Sequence, residues 1–339
     1  MRHVATTLAL AAFFFASPLY AQLDTGFGPD LSLTLSPHYP APRDVVRVVA
    51  HSTLIPLSEA TVAWYIDGKK VSESIGAAEK EVTVGILGSE TLVLVRAARG
   101  DEVAEKSIRI RPTEMDLLWE SDAYIPPFFR GRSLPSAGTT LKMEALPRFK
   151  LKSGAQVPLE NIVFTWRRNG YVIANVSGRG RSRARIPAPA LFGADGISVE
   201  ARSIDGIYGA EISTIIRSEE PHLSVYENHP LFGIQYHAAL GAQNFFDATE
   251  VSLAAIPYYA DASDQNDGAL IYAWEVNGQP ILLDPEKPSE LTLNAAGSSG
   301  IALIELALSH ATNFYLNAQG AWRLTLLGEG SATKNPFTR

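Results

Sequence analysis

Three stretches of the chain, TVAWYIDGKKV at 61–71, VFTWRRNGYVI at 163–173 and IYAWEVNGQPI at 271–281, each set one Trp in an alternating apolar run and follow it with Asp-Gly or Asn-Gly. Alternation with period two marks a strand with one buried face. Asx-Gly supplies two consecutive residues that tolerate positive φ, as a two-residue hairpin requires. The chain has five tryptophans, and placing three of them in one register is what a repeated demand of the fold predicts. A Trp in such a strand fills much of the space between two sheets. Trp64, Trp166 and Trp274 are therefore expected in the core, the alternative being a surface on which sugars stack.

The surroundings recur with the tryptophans, which lie 102 and 108 residues apart. Ahead of each Trp come an opening strand, a Pro-containing stretch and a long strand: DLSLTLS, PHYPAPRD and VVRVVAHST in the first unit, MDLLWES, AYIPPFFRGRSLPSAG and TTLKMEALPRF in the second. The third opens on PHLSVYENHPLFG and continues to ATEVSLAAIPYY. Three more strands should follow each Trp, closing on EKSIRIRP, GAEISTIIRS and AWRLTLLG. The run IALIELALSHA contains good helix formers, but its place matches the penultimate strand of the other units, which predicts a strand. The charged, Pro-containing joints RIRPTEMD and IIRSEEPH set boundaries near 112 and 217. The expected fold is all-β: three tandem β-sandwiches over 22–112, 113–217 and 218–335, each about one sandwich long.

The strand ending in WYIDG, WRRNG or WEVNG, with a later strand such as ISVEARSIDG at 197–206, resembles the immunoglobulin-like and PKD-like domains of bacterial surface and secreted proteins. The Gly-Asp-Gly style turn usual in PKD-like domains is missing, which favours the broader immunoglobulin-like group. The resemblance implies a role as spacer, adhesive module or assembly partner, and no catalytic residues or cofactor.

The chain begins MRHVATTLALAAFFFASPLYA. A basic start, a thirteen-residue apolar run from Val4 to Ala16 and a small residue at Ala21 have the layout of a cleaved secretory signal over 1–21. The run is short for a bilayer crossing, which takes about 20 apolar residues. An extracytoplasmic location follows, in a periplasm or at the cell surface, with no integral membrane segment after cleavage. No cysteine is present, so disulfides, thiol nucleophiles and thiolate metal sites are excluded and the core must hold by packing.

No nucleophile elbow, zinc-binding HExxH or phosphate-binding glycine loop occurs. His222, His229 and His237 lie close in sequence, at intervals unlike those of a tight metal hairpin. Asp261, Asp264 and Asp267 in DASDQNDG are weak calcium candidates, since their spacing departs from the alternating calcium-loop pattern. Charge is more informative. Residues 113–217 carry 14 Lys and Arg against 10 Asp and Glu, while 218–339 carry 4 against 14. Arg181, Arg183 and Arg185 alternate along one expected strand face, and Lys150, Lys152, Arg167 and Arg168 lie in the same unit. These seven are the candidate residues for an anionic glycan or an acidic partner protein of the envelope; nucleic acid is not expected of an exported chain. The expected function is a non-catalytic structural or adhesion protein. The alternatives are an anionic-polymer binder and an accessory subunit of a pilus, secretion or surface-layer assembly.

Overall fold

The computed structural model describes residues 31–295 and 300–326; the expected signal at 1–21 and the polar C-terminus lie outside them. Every regular element is a strand except one 3-10 turn at Leu159–Asn161. No described helix is long and apolar enough to cross a membrane. Two compact units are present, one built on Val48–Lys80 and Leu92–Ile108 with residues up to Thr34, the other on Leu35–Arg47, Glu81–Thr91 and everything from Arg109 onward.

The first seven strands are β1 (Leu31–Ser36), β2 (Val45–Ser52), β3 (Thr61–Ile66), β4 (Lys69–Ile75), β5 (Glu79–Thr83), β6 (Thr91–Arg99) and β7 (Glu102–Ile110). They form one sheet ordered β1-β2-β5 and another ordered β4-β3-β6-β7.

Eight strands follow: β8 (Glu114–Ser121), β9 (Thr140–Arg148), β10 (Ile162–Arg168), β11 (Tyr171–Val172), β12 (Gly178–Arg179), β13 (Arg183–Pro187), β14 (Ala194–Ser203) and β15 (Gly209–Arg217). One sheet is ordered β13-β9-β8 and the other β11-β10-β14-β15, with β12 also on β10. Leu141, Met143 and Ala145 of the first sheet and Phe164, Trp166 and Val199 of the second share one core, so the two sheets form a sandwich.

The remainder comprises β16 (His222–His229), β17 (Gly233–Ala239), β18 (Gln243–Phe246), β19 (Glu250–Tyr258), β20 (Leu270–Val276), β21 (Gln279–Pro280), β22 (Glu290–Asn294), β23 (Gly300–His310) and β24 (Asn317–Leu326). Its sheets run β17-β16-β19-β22 and β18-β24-β23-β20-β21, again around one core that includes Leu253, Trp274, Leu291 and Leu306. The ambiguous IALIELALSH run is a strand, β23, paired along its length with β24. An edge of the fold not foreseen from sequence is β18, which runs parallel to β24.

In each stretch one sheet joins the opening strand to the long strand before the Trp and to a strand after it (β1-β2-β5, β8-β9-β13, β16-β19-β22), and a second sheet joins the Trp strand to the last two strands. It is the immunoglobulin-like and fibronectin-III arrangement. Its centre is built the same way each time. Trp64, Trp166 and Trp274 are at most 1% exposed and pair with Val95, Val199 and Leu306 of the penultimate strand. Each indole N–H donates to a backbone carbonyl, of Ala77, Arg181 and Pro288, at 2.8, 2.9 and 3.1 Å. A buried indole left without such a partner would be costly.

The Asx-Gly turns that follow also match. Asp67, Asn169 and Asn277 take φ of 49°, 51° and 51°, and the next glycines 80°, 84° and 72°, the two positive values of a type I′ hairpin. In each turn the Asx Oδ1 accepts the backbone N–H of the residue opposite, Leu92, Gly196 or Leu303. The Asx N–H in turn donates to the carbonyl of that same residue. The motif thus ties the third strand of each sheet to its penultimate strand at the hairpin end.

Candidate functional site

The seven basic candidates do not form one patch. Arg181, Arg183 and Arg185 are exposed, alternating with buried Ser182, Ala184 and Ile186, so they do share a face. That face belongs to the edge of the β13-β9-β8 sheet, where register sets Arg183 beside Glu144 and Arg185 beside Lys142, with Leu118 and Glu120 one strand further. Arg183 Nε lies 2.9 Å from Glu144 Oε1 and Lys142 Nζ 3.8 Å from Glu120. Arg148 on the same sheet bonds Glu114 and Asp116. The face is therefore a mixed-charge ladder over a shallow recess of about 440 Å³, in which only Arg181 and Arg185 form no ion pair among the described residues.

Arg167 and Arg168 stand on β10, in the other sheet. Arg167 bonds Glu200 at 3.1 Å, and Arg168 bonds Asp195 and reaches the carbonyls of Pro187 and Ala188. Burial pushes the Asp195 carboxyl up, but the bonds from Arg168 and Asn169 outweigh it and hold it below its ordinary value. Lys150 bridges Gln156 in the turn after β9, and Lys152 Nζ lies 3.0 Å from Glu90. These four basic residues are structural neighbours of backbone or carboxylates before they are anything else.

The aspartates of DASDQNDG are occupied within the protein. Asp267 accepts from Ser263 N–H, Ser263 Oγ and Ala269 N–H, bonds that keep its carboxyl below the usual range. Asp264 accepts from Asn266 N–H, and Asp261 from Asn313 Nδ2. Among the described residues no group of three or more His, Asp or Glu is placed to hold a metal ion. The histidines go separate ways: His222 stacks on Tyr258 with rings 5.0 Å apart, while His229 Nδ1 accepts from the N–H groups of Leu231 and Phe232 at a hairpin tip. His237 lies on β17.

Two seams that sequence reasoning passed over carry the most organised polar and aromatic contacts of the second unit. At the first, the PHYPAPRD segment lies against the start of β15. Thr113 N–H donates to Pro40 O and its hydroxyl to Gly209 O at 2.6 Å. Tyr39 donates to Glu200 Oε1 at 2.8 Å, and its ring lies so close over Gly209 that a Cβ there would be 2.2 Å away. Burial, then the bond to Glu200, pushes the Tyr39 phenol up to about 12. Burial raises Glu200 as well, but the bonds from Tyr39 and Arg167 prevail and its carboxyl stays below its ordinary value. Nearby, Glu90 gathers Lys152 and Arg111, which lower its carboxyl in the same sense.

At the second seam the long β8–β9 connection, 122–139, is stitched to the end of β19. Tyr124 N–H donates to Ala260 O and Tyr259 N–H to Tyr124 O, both at 2.8 Å. Ser136 Oγ donates to Tyr259 O at 2.6 Å, and Asn313 Nδ2 to Ala137 O at 2.8 Å. Phe129 packs edge-on against Tyr258 and Tyr259, the Tyr226 and Tyr258 hydroxyls bond at 2.8 Å, and Arg132 sits 4.1 Å over the Trp119 ring. Burial raises the phenols of Tyr124, to about 12, and of Tyr258 and Tyr236. The only sequence signal was the aromatic density of AYIPPFF and IPYYADA, which by itself does not say that the two segments meet.

Beside this seam lies an open cleft of about 800 Å³, lined by Asp122, Tyr124, Lys142, Tyr236, Asp264 and Gln265 among others.

No family model matches the chain and no curated protein matches it. Among solved structures it is similar to the central fibronectin-III array of RIM-binding protein, at 12% identity over 88% of this chain and 96% of that one, with a TM-score of 0.29. It is also similar to the three N-terminal domains of the bacteriophage RB49 highly immunogenic outer capsid protein (13% identity, 88% and 98% covered, TM-score 0.25). A third is a Bacteroides ovatus protein, SGBP-B of a mixed-linkage glucan utilization locus, solved with a mixed-linkage heptasaccharide (14%, 88% and 67%, TM-score 0.23). Likenesses at such TM-scores carry no functional argument. The immunoglobulin-like fold is read from strand order and core.

Proposed function

We propose that the protein is a non-catalytic extracytoplasmic structural or adhesion protein, exported by a signal over 1–21 and built of three tandem immunoglobulin-like sandwiches over 22–112, 113–217 and 218–335. The observation that carries this reading is the threefold recurrence of one weld: buried Trp, indole bond to a backbone carbonyl, and Asx-Gly turn tied to the penultimate strand. Fold does not determine function. The local chemistry nevertheless supports it, since the candidate metal residues Asp261, Asp264, Asp267, His222 and His229 are engaged in turns, hydrogen bonds and a ring stack. Surfaces, seams and strand edges are what such a protein offers to partners. Limited proteolysis of the chain from residue 22 tests the architecture: cuts should concentrate near 112 and 217. Retention on isolated cell envelopes tests the adhesive role, and a chain washed off at low salt without retention would overturn it.

A second reading, an anionic-polymer binder, is favoured by one observation, the lack of ion-pair partners at Arg181 and Arg185 among the described residues. Guanidinium groups on an exposed strand face suit sulfate, phosphate or carboxylate. Retention on heparin resin should then fall sharply when Arg181, Arg183 and Arg185 are changed to Ser. Unchanged retention removes this face as the site.

A further inference from the structure

The cleft beside the second seam has the make-up of a ligand site. Its walls are fixed by the backbone bonds that join Tyr124 to Tyr259 and Ala260, so it is formed before anything enters, which spares the cost of ordering on binding. Tyr124 is only 9% exposed, yet its hydroxyl has no protein partner among the described residues and is not among the fully buried unpaired atoms. A buried ring with its phenol opening on the cleft leaves a donor and acceptor free for a ligand. Tyr236, half-buried against Tyr226 at 5.6 Å between ring centroids, contributes a second phenol without a protein partner among the described residues.

The polar groups around these rings are of both kinds. Asp122 and Asp264 each commit one oxygen to a backbone N–H, of Thr140 and Asn266, leaving the other oxygen to accept. The Gln265 amide and the Asn266 Nδ2 have no protein acceptor among the described residues, and Lys142 is held only by the long contact to Glu120. Three carboxylates against one ammonium, counting Glu120, repel a polyanion. A cationic chain could use the carboxylates but would leave the amide and ammonium donors without acceptors. Interleaved donors and acceptors beside aromatic rings match vicinal hydroxyls and the apolar face of a sugar ring.

We propose that this cleft binds a neutral oligosaccharide. The proposal gives the adhesion reading a ligand class and rests on that reading. Its failure is separable, because the proteolysis pattern does not depend on the cleft and envelope retention that survives Gln265→Ala and Tyr236→Ala would leave the adhesion reading standing without this site. Affinity electrophoresis of the chain from residue 22 in gels holding hydroxyethylcellulose, galactomannan or soluble starch provides the test, with heparin and poly-lysine as charged comparisons. At least one neutral polymer should retard the protein, and Gln265→Ala and Tyr236→Ala should each weaken that binding tenfold or more with the melting temperature of Gln265→Ala unchanged. Tyr236→Phe, which keeps the ring, should lose less than Tyr236→Ala. No retardation by any neutral polymer overturns the proposal. So does retardation that survives Gln265→Ala and Tyr236→Ala, and so does binding to poly-lysine alone, which would mark a cationic-peptide site.

Discussion

The two seams solve one problem with opposite chemistries. At the first, Tyr39, Glu200 and Arg167 form a half-buried polar knot, supported by Glu90 with Arg111 and Lys152. At the second, Phe129, Tyr258, Tyr259 and His222 pack ring on ring, and backbone bonds do the stitching. The polar knot is held by groups whose strength depends on ionisation and salt. The aromatic seam depends mainly on apolar area removed from water, which salt does not screen, although His222 among its named rings can ionise below neutral pH. A chain without cysteine thus fixes successive segments by two means that fail under different conditions.

The largest expected effect tests whether the seams join cores that are separately stable. Trp166→Ala removes a fully buried indole and should cost about 3–5 kcal/mol, enough to unfold a marginal domain. Hydrogen exchange resolved by peptide should show 114–217 losing protection while 270–326 keeps it. Loss in both together would mean that the aromatic seam fuses the cores into one cooperative unit.

Next in size is the stitch itself. Asn313→Ala removes the donors to Ala137 O and Asp261 and should cost about 1–3 kcal/mol, the range for leaving buried partners unsatisfied. Faster exchange confined to 122–139 and the end of β19 would be its signature; no change there would show that ring packing alone suffices.

Acid separates the seams by pH window. Partial desolvation where it stacks on Tyr258 holds His222 below its ordinary value, near 6.5 in free peptides. A base depressed by folding contributes fully above its unfolded value, and that contribution is lost as pH falls through the folded one. Glu200 and Glu90 are depressed carboxyls, so their contribution is complete above about 4.3 and lost below it as pH passes their folded values. On lowering the pH from 7 to 5, protection at the aromatic seam should decline while the polar knot holds; below 4 the knot should follow. A simultaneous loss would erase the distinction.

The smallest effect concerns the exposed ladder. Arg183→Ser breaks the exposed pair with Glu144 and should shift stability by less than about 1 kcal/mol, measurable by urea titration. A larger loss would mean that the β13-β9-β8 face contributes to the fold more than its exposure suggests.

What could be read from the sequence was local or periodic. Alternation placed Trp166 inward and Arg181, Arg183 and Arg185 outward, and Asn-Gly announced its own turn geometry, because these depend on neighbours two or three residues away. Position within the repeat settled IALIELALSH as a strand against its helical propensity. What could not be read depends on contacts between distant residues: Asp261, a weak calcium candidate by sequence, accepts from Asn313, 52 residues on. Likewise Arg167 and Arg168 counted toward a basic patch until Glu200 and Asp195, 33 and 27 residues away, were found beside them. A charge is visible in a sequence, but the partner that cancels it is not. The aromatic seam escaped for the same reason, since AYIPPFF and IPYYADA lie more than a hundred residues apart.

The Asx-Gly turns have a chemical consequence as well as a geometric one. Asn-Gly is the dipeptide most prone to deamidation, because the glycine nitrogen meets little steric resistance in attacking the side-chain amide. Asp67, in the first turn, already shows what the product looks like when correctly folded: a carboxylate oxygen accepting Leu92 N–H. Among the described residues Asn277 bonds only through its Oδ1, toward Leu303, so the fraction converted to Asp there would keep the bond that defines the turn. Asn169 differs, because its Nδ2 also donates to Asp195 at 2.7 Å. Deamidation at that position would set two carboxylates against each other beside Arg168. Of the two Asn-Gly turns, the middle one is where conversion to Asp would be felt most.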